Sequence, residues 1–164
     1  YNASGKYIGL APEMMGHPRL IPAQGIMGIA EGLTLYARED MPMVAPLDSA
    51  GLTRCECGAQ LPDDFRHEQY LLIREGEKTV LISGCSHKGI LNIVDAFRPD
   101  VLVGGFHFMK MEDEGLLRKA AEKLLQYDTV YYTGHCTGQS QYDYLKTIMG
   151  DKLHYLSTGM VLEI

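Results

Sequence analysis

One device recurs three times in this chain of 164 residues: a run of apolar residues, a glycine-containing turn, and a histidine. Val80-Leu81-Ile82-Ser83-Gly84 leads to His87, Val101-Leu102-Val103-Gly104-Gly105 to His107, and Val130-Tyr131-Tyr132-Thr133-Gly134 to His135. Unbroken apolar runs of this length, stopped by glycine, read as strands buried on both faces. Helical spacing follows each of them. Ser86 is placed to cap a helix with Ile90, Ile93, Val94 and Phe97 on one face. Leu116, Leu117, Ala120, Ala121, Leu124 and Leu125 predict a helix over 112–127. Tyr142, Leu145 and Ile148 or Met149 mark the buried side of a third, which Gly150 stops. Strand, turn and helix in series constrain the chain to an α/β fold. The three histidines then converge on one rim, at the carboxyl ends of the strands, where open α/β sheets bind ligands.

Histidines gathered without a serine or aspartate partner favour metal ligation over triad chemistry, because neutral imidazole is the commonest metal-ligating side chain. Glycines beside them let the backbone turn under a ligand with no Cβ in the way. Two thiols lie close by in sequence: Cys85 precedes His87 by two residues and Cys136 adjoins His135. Either could act as an imidazole-activated nucleophile, but neighbouring side chains in an extended turn point apart, so the thiol reading ranks below the metal one. Cys85 is also a candidate metal ligand.

The remainder is less patterned. Residues 1–28 are rich in Gly, Pro and Met and read as a long loop. Gly32 to Tyr36 is a candidate strand, and 38–62 returns to loop composition. Cys55 and Cys57 within it are spaced too closely for a zinc ribbon and read as incidental thiols. Residues 69–73 and 78–82 flank Arg74-Glu75-Gly76-Glu77 as a β-hairpin. His67 and Glu68, just before it, read as a solvated strand entrance. Residues 153–156 and 160–164 are expected as two short closing strands.

Composition excludes several classes. A net charge of −6 with no basic block argues against nucleic acid. No apolar run approaches the ~20 residues of a membrane span and no leader pattern opens the chain, so a cytoplasmic protein with reduced cysteines is expected.

Taken together, Ser83-Gly84-Cys85-Ser86-His87-Lys88-Gly89-Ile90-Leu91-Asn92, Gly104-Gly105-Phe106-His107 and Gly134-His135-Cys136-Thr137-Gly138 resemble the metallo-β-lactamase-fold hydrolases. Within them the motifs are similar to the dihydropterin-aminobenzene-phosphate synthase-like branch, over about 63–164. The resemblance implies the second half of an αββα sandwich, a mixed sheet with helices on one face, with 1–62 as a loop-rich lead-in and 63–164 as the strand-histidine-helix core. It implies zinc, as one or two divalent ions, with iron or manganese as alternatives. His87 and His135 stand at metal-ligand positions, and His107 is a ligand or a substrate-facing catalytic residue. Gly84-Cys85 stands where the family's bridging aspartate is usual. The implied activity is hydrolysis of an ester or phosphoester bond in a small metabolite, and the alternative is a non-catalytic metal- or ligand-binding module. The family's His-x-His-x-Asp-His cluster is absent from these residues. The chain, which starts on Tyr1, is therefore expected to be the C-terminal portion of a domain. Its expected partners are an N-terminal half, upstream or as a separate chain, and a small-molecule substrate, with self-association also compatible. Alone it is expected to bind metal weakly and to leave apolar surface uncovered.

Overall fold

In a computed structural model that describes residues 1–37 and 40–163, a seven-stranded mixed sheet carries three helices. The strands are β1 (Gly25–Ala30), β2 (Leu33–Ala37), β3 (Thr53–Glu56), β4 (Ala59–Pro62), β5 (Tyr70–Glu75), β6 (Lys78–Gly84), β7 (Val101–Gly104), β8 (Val130–Thr133) and β9 (Leu153–Tyr155). The helices are α1 (Ile90–Phe97), α2 (Glu114–Leu124) and α3 (Gln139–Met149). The main sheet runs β1-β2-β5-β6-β7-β8-β9, while β3 and β4 pair separately. Its first four strands are antiparallel, and β6 to β9 are parallel.

The parallel half follows from its connections. Each of α1, α2 and α3 links one parallel strand to the next, and right-handed crossovers in a constant direction put all three helices on one face. One register row, Leu72, Leu81, Leu102, Tyr131 and Leu153, points into that helical layer. These residues pack with Ile93, Val94, Leu117, Leu124 and Leu145 in the core. The adjacent row, Leu35, Leu71, Ile82, Val103 and Tyr132, faces the other way. It is equally apolar yet only half-buried, with Ile82 39% exposed. The two-sided burial expected for Val80-Leu81-Ile82 therefore holds for Leu81 alone, since no layer covers the second face among the described residues.

Other expectations shift for identifiable reasons. The lead-in contains β1, paired to β2, and the β3–β4 ribbon. The ribbon's residues are exposed or half-exposed, so no apolar alternation announces it. Its two turn residues, Cys57 and Gly58, both have positive φ, +50° and +83°, the signature of a tight hairpin. Ser86 is not the cap of α1: it sits at φ +58° with its hydroxyl 2.8 Å from that of Ser83, and Gly89 occupies the capping position without a side-chain bond. The second helix is shorter than 112–127 because Asp113 caps it, accepting from the amides of Gly115 and Leu116 at 2.8 and 3.2 Å. No strand forms over 160–163, where Val161 is 86% exposed; residue 164 lies outside the described residues. No helix among the described residues is long and apolar enough to cross a membrane.

Candidate metal centre

Three consecutive parallel strands end in turns that carry the three histidines, and each turn holds a non-glycine residue at positive φ. These are Ser86 at +58°, His107 at +57° and His135 at +50°. Left-handed backbone at non-glycine positions costs about 1–3 kcal/mol and gathers at functional sites. Hydrogen bonds hold the turns together: the Gly105 amide donates to the Gly84 carbonyl at 2.7 Å and the Met109 amide to the Cys136 carbonyl at 3.0 Å. The Phe106 amide donates to Thr137 Oγ1 at 2.8 Å, within a buried pair of Thr133 and Thr137 hydroxyls.

His87 and His107 form one group. Their ring centroids lie 4.2 Å apart, and Phe65 stacks on His87 from another side at 4.8 Å. His87 Nδ1 is buried with no hydrogen-bond partner, and an orphaned ring nitrogen in a cleft is what a ligand would satisfy. Burial holds the His87 imidazole below its usual range, with the Glu68 carboxylate pulling the other way. His107 is lowered too, by burial first and then by His87 and Lys110. Both shifts favour the neutral ring, the form that ligates metal.

His135 belongs to a second group. It opens a short 3-10 turn (His135–Thr137) and stands exposed, with Nδ1 3.6 Å from Cys85 Sγ. Cys136 Sγ completes the group: the donor atoms of Cys85, His135 and Cys136 all lie within 4.8 Å of one another. The expected divergence of His135 and Cys136 is overturned, because a tight 3-10 turn, unlike an extended one, brings neighbouring donors to the same point. Burial, reinforced by the nearby Cys85, pushes the Cys136 thiol up to about 12, which disfavours it as a free nucleophile. All four cysteines are free, with Cys55 and Cys57 exposed on the β3–β4 ribbon.

The glycines have measurable tasks here. A Cβ on Gly105 would lie 2.3 Å from Cys136 Sγ, and one on Gly104 would lie 2.2 Å from the Ser83 hydroxyl oxygen. The pair leaves room for the sulfur and for the crossing of β6. The orphaned imidazole nitrogen, the space kept for sulfur and the N- and S-donor set all fit a divalent metal of the zinc class.

Glu68 is the residue that sequence reasoning misplaced. Only 9% exposed, its carboxylate accepts from the backbone amides of His87 and Lys88 at 2.6 and 2.9 Å and from the Tyr70 hydroxyl at 2.7 Å. It anchors the turn that presents His87. The signal was available: Glu68 shares the phase of Tyr70 and Leu72, and in a strand residues two apart share a face. Asn92 was also missed. From α1 it accepts from the amides of Val44 and Ala45 at 2.8 and 2.7 Å and donates to the carbonyls of Ala45 and Lys88, tying the lead-in to the His87 turn.

Fold and histidine rim together define a protein of metallo-β-lactamase fold. The crystal structure of a metal-dependent hydrolase of the β-lactamase superfamily superposes with a TM-score of 0.74 and 26% identity, over 88% of this chain and 58% of that one. In sequence the chain is similar to the 7,8-dihydropterin-6-methyl-4-(β-D-ribofuranosyl)-aminobenzene-5′-phosphate synthase of Methanocaldococcus jannaschii, 30% identical over 129 residues. An uncharacterised protein of the same archaeon is 29% identical over 85 residues. These matches cover 73% and 49% of the chain but only 41% and 31% of the relatives, so the chain spans less than half of either. No family model matches.

Proposed function

We propose that this chain forms the C-terminal portion of a metal-dependent hydrolase, and that His87, His135 and Cys85 are its contribution to the metal centre. The observation that carries the reading is the convergence of three strand ends on one rim, with an unpartnered ring nitrogen on His87 after β6 and the Cys85–His135 contact joining the ends of β6 and β8. A further segment carrying His-x-His-x-Asp-His, upstream or in a separate chain, would supply the rest of the ligands, since a catalytic zinc site takes three protein ligands and an open position. When bound, a divalent cation lowers the pKa of water and polarises the electrophile. His107, in ring contact with His87, would hold developing negative charge or pass a proton to a leaving group. Glu68 orients His87 through the backbone rather than through the ring. Hydrolysis of an ester or phosphoester of a small metabolite follows, and the pterin-pathway name of the archaeal relative makes a phosphorylated, pterin-like molecule the first substrate class to try.

The chain combined with a segment bearing the missing cluster should hydrolyse chromogenic phosphoesters or esters only with zinc, iron or manganese present. His87→Ala or His135→Ala should abolish the activity, and full activity in both variants would overturn the assignment. Since the chain itself lacks that cluster, a binding module of the same fold is the second reading, recognised by stoichiometric metal without turnover in the combined protein.

A further inference from the structure

We propose that Phe65 is a positioning residue for His87: its ring fixes the plane of the imidazole, while Glu68 fixes the backbone beneath it. The proposal rests on the reading of His87 given above and adds to it a residue that acts through the histidine, touching neither metal nor substrate.

Burial outside the core carries the argument. Phe65 is 1% exposed, yet it stands apart from the apolar cluster beneath the helices. Among the described residues its ring contacts are with imidazoles. It stacks on His87, with centroids 4.8 Å apart and planes at 28°, and meets His67 edge-on at 6.3 Å. The backbone that delivers it is left-handed, at φ +54°, a conformation rare for a bulky residue and concentrated at functional sites. Two hydrogen bonds hold that conformation. The Phe65 amide donates to Asp63 Oδ1 at 2.8 Å, and the Phe65 carbonyl accepts from the Glu68 amide at 3.0 Å. The residues on either side of it, Asp64 and Arg66, pair with each other at 2.8 Å, and Asp64 pairs with Arg54 of β3 at 3.1 Å. The β3–β4 ribbon thus braces the turn that inserts the ring.

What the ring supplies is orientation about a bond the backbone does not control. Glu68 grips the amides of His87 and Lys88 at 2.6 and 2.9 Å, which places the His87 Cβ but leaves its ring free to turn. An imidazole nitrogen donates in the plane of its ring, so a productive site sets that plane to within about 10–20°. Ligating histidines usually gain this from a hydrogen bond on the other ring nitrogen. No hydrogen bond reaches the His87 ring among the described residues. Stacking takes its place: Phe65 lies against one side of the ring and His107 against another, the latter at 4.2 Å, so a turn of His87 must displace one of them. A phenyl ring does this without adding a charge or a competing donor beside the nitrogen.

Imidazole NMR of the 164-residue chain with a chelator present, at about pH 8 where an ordinary histidine is neutral, tests it without metal or turnover. The His87 ring protons should resonate upfield of those of exposed His17 and His135, displaced by the Phe65 ring current, and should cross-relax with the Phe65 ring. Phe65→Leu, which keeps an apolar side chain, should move them downfield, and Phe65→Tyr should restore them. Asp63→Ala, at a half-buried position, removes the hold on the Phe65 backbone and should weaken the same signature, which keeps the test open if the leucine variant does not fold. In the chain combined with the segment bearing the missing cluster, Phe65→Leu should lower kcat about 10–100-fold with KM little changed, and Phe65→Tyr should recover most of it. A leucine variant that melts lower but keeps the His87 ring shifts and the wild-type kcat overturns the proposal, as does a wild-type His87 ring with no Phe65 contact. If the ring signature holds while the combined protein takes up no metal, the hydrolase reading fails and the positioning of His87 by Phe65 stands.

Discussion

Replacing Glu68 tests whether the His87 turn is held by one buried carboxylate. In Glu68→Gln the side chain keeps its shape but one oxygen becomes an NH2 group. Three donors converge on the original carboxylate, from His87 N at 2.6 Å, Lys88 N at 2.9 Å and the Tyr70 hydroxyl at 2.7 Å. The amide keeps one accepting oxygen. If that oxygen serves Lys88 and Tyr70, the new NH2 faces the His87 amide and two donors oppose each other. A buried donor left without an acceptor costs about 1–3 kcal/mol, and exchanging a charged acceptor for a neutral one weakens the bonds that survive. The expected loss is therefore about 2–4 kcal/mol, or roughly 4–16 °C in Tm for a domain of this size. Tyr70→Phe, which removes one donor and leaves the carboxylate bonded, should cost about 1.5 kcal/mol. Thermal unfolding by circular dichroism gives the first number, and hydrogen exchange at the His87 and Lys88 amides gives the local one. A glutamine variant that melts with the wild type and keeps both amides protected would refute the anchoring role.

Two further outcomes follow from the same turn. Asn92→Ala removes four hydrogen bonds, three of them to Val44 and Ala45, so the segment around 43–47 should exchange its amides much faster while β6 to β9 stay protected; unchanged exchange at 44 and 45 would contradict the tie. The second concerns acid. Burial lowers the His87 and His107 imidazoles, so the unfolded chain takes up more protons than the fold as pH drops below the ordinary histidine value of about 6.5. Stability should be full above that pH and fall below it, and His87→Gln should flatten the acid limb in denaturant titrations at pH 7.5 and 5; an unchanged limb would show that other groups set it.

The sequence made the parallel half of this molecule legible because its signals are strong and local. Leu81, Leu102 and Tyr131 stand in apolar runs that glycine ends, and the histidines are fixed by those ends. What escaped notice did so for physical reasons. The β3–β4 ribbon has no buried face, and edge strand β1 exposes most of its residues, so neither writes an alternating pattern. Glu68 is a charge in an inward position, which the usual preference of carboxylates for water argues against until its three donors are seen. The pairing of His135 with Cys85, 50 positions apart, and its nearness to Cys136 depend on a 3-10 turn and a left-handed residue that no spacing rule encodes. The histidine rim was predictable as a rim; its division into a stacked His87–His107 pair and a thiol-bearing His135 group was not.

That division bears on how a second layer would complete the protein. A strand facing water on one side alternates apolar with polar residues, whereas strands covered on both faces read as unbroken apolar runs. Here both rows are apolar, yet only the row beneath the helices is buried. Burying a large aliphatic side chain is worth about 1.5–3 kcal/mol, so the face bearing Ile82, Val103 and Leu71 holds a substantial unrealised driving force for a covering layer. The histidine turns leave the ends of the same strands, so a layer laid on that face reaches the rim along its edge. Cover for the sheet and extra ligands for the metal are thus two demands that a single element can meet. The two events should then be linked: metal bound across the rim favours the covered state by the ratio of its affinities for the covered and open forms, and the cover raises metal affinity by the same factor.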